Sequence, residues 1–167
     1  PFLSKPLVVS ANELDGASRI VATAESRVTL GAGDRAFAQG ITKEMGDQWQ
    51  IFRRGNALID PDTNEVLGYE ATYLGDARVI KHGEVATIDI VRSVQEIYRD
   101  DRLIALGKQA PVFSYVPHTP LAPVKGRIIS TYGSLQETGP LSIVALSKGS
   151  KDGLQVGAVL AIERSQT

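Results

Sequence analysis

The sequence predicts an all-β protein built from repeated small β-modules around a central hairpin, and three observations carry that prediction. Apolar and aromatic residues alternate with period two from Trp49 to Arg53, from Leu67 to Tyr73 and from Val85 to Val91. Polar turns separate the runs, the clearest being Asp60-Pro61-Asp62-Thr63-Asn64-Glu65. No window sustains a 3.6-residue period, so little helix is expected.

Taken in order, Leu7-Val8-Val9 reads as a short strand and Asn12 to Gly16 as a turn. Arg19 to Ala24 and Val28 to Leu30 read as strand material, broken by Gly31-Ala32-Gly33-Asp34-Arg35 and resumed by Ala36-Phe37-Ala38. The stretch Gln48 to Tyr73 forms the hairpin, its first strand carrying the sole Trp. Pro61 presets φ in its turn, and the Asp and Asn side chains can accept nearby backbone N–H groups. Ala77 to Ile80 and Val85 to Val91 follow, then a single helical turn expected over Arg92 to Tyr98, then Leu103 to Leu106. Gly107 to Val124 holds four of the eight prolines. Proline fixes φ and lacks a donor, so this run is expected to be an extended linker or surface strap. Beyond it, strands are expected near Gly126 to Thr131, Leu141 to Leu146 and Ala158 to Arg164.

An internal similarity emerges: "GASRIVA", "GDARVIK" and "KGRIIST" each place a small residue before Arg and an apolar run, and each leads to a second apolar strand. The unequal intervals argue against a regular solenoid and fit three related modules with insertions. Each is too small to bury a core alone, so the modules are expected to pack in a barrel-like or sandwich-like manner. The expected organisation is a module pair over 1–106, the Pro-rich segment over 107–124, and a C-terminal module over 125–167.

The bulk composition excludes several functions. With 18 basic and 19 acidic residues the chain lacks the charge excess of a nucleic-acid binder. No apolar run reaches the ~20 residues of a membrane-spanning helix. Without cysteine there is neither a disulfide framework nor a thiolate metal site. The chain opens on Pro1 with no charged and apolar leader, so a fragment or a processed product is expected.

Motifs that carry chemistry are sparse. Asp60-x-Asp62-x-Asn64 begins like a calcium loop, but Glu65 and Ala71 stand where such a loop needs Gly and a bidentate Glu, which leaves a hairpin turn. His82 and His118 stand apart from each other and from other ligands. No Ser lies in a nucleophile elbow, and Gly31-x-Gly33 lacks the Lys and Ser/Thr of a phosphate loop. Asp100-Asp101 reads as a solvated loop. Two P-x-x-P matches fall in the Pro-rich run and read as linker. Trp49, Tyr69 and Tyr73 are the candidate glycan-stacking residues, although their apolar same-face neighbours favour cross-strand core packing. No catalytic residue, metal site or cofactor is expected.

The strings "WQIFRRGNALIDPDTNEVLGYEATYLGDARV", "EIYRDDRLIAL" and "VALSKGSKDGLQVGAVLAIER" resemble the C-terminal region of LysM-containing, peptidoglycan-associated cell-envelope proteins of proteobacteria, β-proteobacteria especially. The resemblance runs from about Ser10 to Arg164, and D-P-D-T…L-G-Y-E-A is its most specific part. It implies a periplasmic or cell-envelope location and a peptidoglycan partner reached through a LysM module that this chain lacks. The region itself is expected to be a non-catalytic accessory or docking domain for an envelope protein partner or a second copy; the alternatives are a glycan-binding or carbohydrate-active module in its own right and a structural module that assembles by its strand edges. The resemblance assigns no activity to this region and transfers no glycan-contacting residue.

Overall fold

The computed structural model describes residues 7–10, 13, 15–106, 116–131, 140 and 142–164. They are nearly all strand and loop, with helix confined to short turns, three of them 3-10 and a brief helical stretch that includes Glu13 and Asp15. By their packing the residues divide into two compact units, one of 1–58 with 68–110 and one of 59–67 with 111–167.

The first unit is a closed β-barrel. Its strands are β1 (Leu7–Val9), β2 (Ser18–Thr23), β3 (Arg35–Gln39), β4 (Gln48–Ile59), β5 (Val66–Lys81), β6 (Val85–Ser93) and β7 (Arg102–Ala105). Around the sheet the order is β1-β5-β4-β7-β2-β3-β6, and a further pairing of β6 with β5 closes the ring. Closure is possible because β5 offers one edge to two partners in succession. That edge pairs with β1 over Tyr69 to Ala71 and with β6 from Gly75 to Lys81. Gly75 sits where the partner changes: a Cβ there would lie 2.0 Å from the Arg92 carbonyl oxygen, so only glycine lets the two backbones approach. Closing a small sheet removes its free edges and encloses a packed interior.

Bulges bend the ladder. One between Asp76 and Ala77 switches the inward parity of β5, so that Leu74 and then Ala77 and Val79 point into the barrel. The interior holds Trp49, Ile51, Leu74, Ile88, Ile90 and Leu103, all essentially free of solvent. Small residues face large ones across the ladders: Ala36 lies opposite Ile88 and Ala77 opposite Ile90. Such alternation fills a narrow barrel without voids. A second cluster of Phe52, Ala71 and Tyr73, joined by Ile104, occupies the opposite side of β4, β5 and β7. Phe52 and Tyr73 meet there edge to face, centroids 5.8 Å apart.

The three similar strings correspond to three antiparallel pairs. "GASRIVA" enters β2, which pairs with β3; "GDARVIK" forms the end of β5, which pairs with β6. "KGRIIST" contains β8 (Ile128–Thr131), which pairs with β9 (Val144–Leu146) in the second unit. The first two pairs therefore share one barrel, and the third belongs to a separate body.

In that second unit the turn of the long hairpin is held by its own side chains. The Asp62 N–H donates to Asp60 Oδ1 at 2.9 Å, the Asp60 N–H donates to the Glu65 carbonyl at 2.9 Å, and Asn64 takes a positive φ of 60°. The expected division at 1–106, 107–124 and 125–167 keeps this hairpin whole. Its tip, Ile59–Leu67, groups instead with the second unit, where the Asp62 carboxylate meets the Arg127 guanidinium at 3.3 Å. Within the Pro-rich segment, His118 bridges to Ala158 and exchanges backbone bonds with Gly157 and Val159. Residues 107–115 of that segment lie outside the described residues.

Three elements differ from expectation. Val28 to Leu30 is not a strand: only Leu30 bridges, to Ile97, and Val28 stands 81% exposed. Arg92 to Tyr98 is not helical, because β6 continues to Ser93 and the Val94 N–H then bonds the Leu74 carbonyl. Ala158 to Arg164 forms no strand. After the bridge at Ala158 and the bond from the Val159 N–H to the His118 carbonyl, its described residues join no ladder, and Ile162 is 84% exposed.

Candidate functional site

One end of the barrel is closed by an ion pair. Arg53 on β4 and Asp101, just before β7, follow the inward parity of Ile51 and Leu103 but lie beyond the apolar layer. Arg53 Nε donates to Asp101 Oδ1 at 2.8 Å, and its Nη2 donates to Oδ2 at 2.6 Å. The Tyr98 N–H donates to the same Oδ2 at 2.8 Å, so the buried carboxylate is fully partnered. Arg53 also donates to the Glu96 carbonyl at 3.0 Å and lies over the Tyr98 ring, 4.8 Å from its centroid. The hydrogen bond to Asp101 raises the guanidinium's proton affinity further. The Tyr98 hydroxyl donates to the Glu96 carboxylate.

Beside this end lies a charged cleft of about 200 Å³ lined by Asp15, Phe52, Arg54, Asp100 and Arg102 together with the ion pair. Arg54 Nη1 reaches Asp15 at 3.4 Å, and its guanidinium lies 3.8 Å from the centroid of Tyr69. A larger cleft of about 500 Å³ opens elsewhere on the barrel, lined by Gln48, Trp49, Gln50, Tyr73, Asp76 and Arg92 among others. There the Tyr73 hydroxyl is held un-ionised: burial first, and then a hydrogen bond with Asp76, push its pKa up to about 12, while Arg92 opposes the shift.

The candidate glycan-stacking residues do not converge on one exposed face. Trp49 is 2% exposed and belongs to the barrel interior, its indole N–H donating to the Gly46 carbonyl at 3.0 Å. Tyr73 is 5% exposed and packs on Phe52 in the second cluster. Tyr69 is half-buried, and Arg54 covers one face of its ring. Stacking on a sugar needs an open ring face. Trp49 and Tyr73 do reach the lining of the larger cleft, so they contribute its floor rather than a platform.

Other sequence candidates resolve into local structure. Asp101 is buried and paired, which corrects its reading as part of a solvated loop, while Asp100 is exposed with a positive φ of 71°. His82 bonds Asp47 through Nε2 at 2.9 Å, and its Nδ1 is buried without a partner among the described residues. Among the described residues, no three His, Cys, Asp or Glu side chains come together as a metal site requires. No described helix is long and apolar enough to cross a membrane. No local signal marks Arg53, Arg54 or Arg102: Arg53 and Arg54 pair with Asp101 and Asp15, and Arg102 faces Arg19, all distant in the chain.

No protein-family model matches the chain, and no curated protein matches it in sequence.

Proposed function

We propose that this chain is a non-catalytic accessory and docking region of a LysM-type, cell-wall-associated protein of the periplasm or cell envelope. Affinity for peptidoglycan resides mainly in a LysM module outside this chain. The region spaces or docks that anchor against an envelope partner or a second copy. The observation that carries this reading is the filled barrel. Trp49, Ile51, Leu74, Ile88, Ile90 and Leu103 occupy its interior. A barrel of this kind works through its outer face, unlike wider barrels that hold a ligand inside. The resemblance in the hairpin and C-terminal strings supplies the envelope context.

A second reading has one specific observation in its favour. The larger cleft combines Gln48, Gln50, Asp76 and Arg92 at its rim, side chains suited to sugar hydroxyls, so the region could hold glycan by itself.

Co-sedimentation with purified peptidoglycan sacculi tests the two readings. The proposal expects the chain with its LysM module to pellet and the chain alone to remain in the supernatant. Pelleting of the chain alone, abolished by Gln50→Ala with Asp76→Ala, establishes the second reading instead.

A further inference from the structure

Arg19 on β2 and Arg102 on β7 stand directly opposite each other in the antiparallel ladder. The Ile20 N–H donates to the Asp101 carbonyl at 3.0 Å, which makes the adjoining position a hydrogen-bonded one. The arginine pair therefore occupies a non-hydrogen-bonded position, where facing side chains approach most closely. Ser18, Ile20 and Leu103 are buried on the inner face, so alternation turns both arginines outward. Like charges in this arrangement destabilise a sheet.

Neighbouring arginines are matched. Arg35 faces Asp89 at 2.6 Å, Arg53 grips Asp101, and Arg54 reaches Asp15. Among the described residues, Arg19 and Arg102 have no carboxylate partner. Arg102 also lines the charged cleft. The geometry points to an anion site formed by Arg19 and Arg102, opening beside that cleft and taking the carboxylate of a ligand.

The chemistry of the surroundings selects the anion. Two planar guanidiniums offer parallel N–H donors that match the two oxygens of a carboxylate. Asp15, Asp100 and Asp101 line the cleft against Arg53, Arg54 and Arg102, so only with Arg19 beside it do the surroundings carry one positive charge in excess. A singly charged carboxylate fits that balance, whereas a phosphate dianion meets two fixed negative charges. The carboxylate can come from a peptide C-terminus or from a sugar acid. The cleft, at about 200 Å³, admits the group that bears it and little more.

The test is an NMR titration of the arginine Nε–Hε signals in the whole chain. Acetate and inorganic phosphate are added separately, at an ionic strength held constant with chloride. Acetate is expected to shift the Arg19 and Arg102 signals saturably and to leave Arg35 in place. Arg19→Gln is expected to abolish saturation at Arg102, and Arg102→Gln to abolish it at Arg19. In chloride buffer each variant is expected to melt about 1–4 °C higher, because the repulsion is relieved. A dipeptide with a free C-terminus and glucuronic acid then separate the peptide and sugar sources. Shifts that fail to saturate, or that persist at the partner arginine in the single variants, overturn the site. Tighter saturation by phosphate overturns the carboxylate assignment, as does equal binding of the amidated dipeptide.

Discussion

Arg53 holds Asp101 through two hydrogen bonds of 2.8 and 2.6 Å, although the two residues are 48 positions apart in the chain. The pair joins β4 to the entry of β7 where the apolar interior ends. Asp101 is 5% exposed and also accepts the Tyr98 N–H, so its charge is satisfied only while Arg53 remains. Removing one member of such a pair leaves the other without compensation. Arg53 is itself partly open to solvent, which moderates the cost. Asp101→Asn is expected to destabilise the barrel by about 2–3 kcal/mol in urea unfolding. Arg53→Lys is expected not to restore wild-type stability, because an ammonium cannot reproduce the planar fork. A loss below about 0.5 kcal/mol in Asp101→Asn removes this pair from the account of stability.

A glycine controls closure. An added Cβ at Gly75 lies 2.0 Å from the Arg92 carbonyl oxygen, and both partners are backbone, so neither can swing aside. Gly75→Ala is expected to cost about 3 kcal/mol or to prevent β5 from pairing with β6. Gly31→Ala is the control, since its nearest neighbour to an added Cβ is an Asp34 oxygen at 4.0 Å. Circular dichroism melts of the two variants separate the outcomes. A Gly75→Ala protein as stable as Gly31→Ala contradicts the closure described here.

These two sites mark where sequence reading stops. The hairpin was legible because its signals are local: alternation along Trp49 to Arg53 and along Leu67 to Tyr73, with a Pro-Asp turn between. The all-β class was legible for the same reason. Closure was not, because it depends on β5 exchanging β1 for β6 along one edge, and a glycine in a strand has several readings. Parity also misled over Tyr73. It shares odd numbering with Trp49 and Ile51, yet it belongs to the other face, beside Phe52. Arg19 meets Arg102, and Arg53 meets Asp101, only through the register of distant strands. The ending Ala158 to Arg164 shows the converse. It carries strand composition but pairs only with His118, through the bridge at Ala158 and the Val159 N–H, and a strand needs a continued ladder.

The buried Tyr73 predicts a late alkaline step. Its folded pKa is raised to about 12 from an ordinary 10, chiefly by burial. A raised pKa means that the fold favours the protonated phenol. The stabilisation is complete below pH 10 and is lost as pH rises through 10 toward 12. Ultraviolet titration near 295 nm is expected to show one phenolate appearing last, near pH 12, with stability declining over the same range. Tyr73→Phe is expected to remove that last step and to flatten the decline. Persistence of the step in the variant assigns it to another tyrosine and removes Tyr73 from the alkaline transition.

The sole tryptophan reports on the barrel interior and separates two roles for Trp49. Packed at 2% exposure, with its indole N–H on the Gly46 carbonyl, it is expected to emit at short wavelength and to resist iodide quenching until the protein unfolds. Trp49→Ala is expected to cost about 3–5 kcal/mol by leaving a cavity among Ile51, Leu74 and Leu103. Trp49→Phe keeps most of the apolar volume and loses the N–H donor, so a smaller loss of about 1–2 kcal/mol is expected. A glycan platform makes the opposite prediction: accessible fluorescence, quenched by iodide and protected by sugar, with little change in stability on truncation. Since the interior it occupies is built from residues as far apart as Ile20 and Leu103, its emission during refolding should turn blue only when the sheet closes. Stopped-flow fluorescence should then follow the same time course as the Gly75-dependent pairing of β5 with β6, and an earlier blue shift places burial of Trp49 before closure.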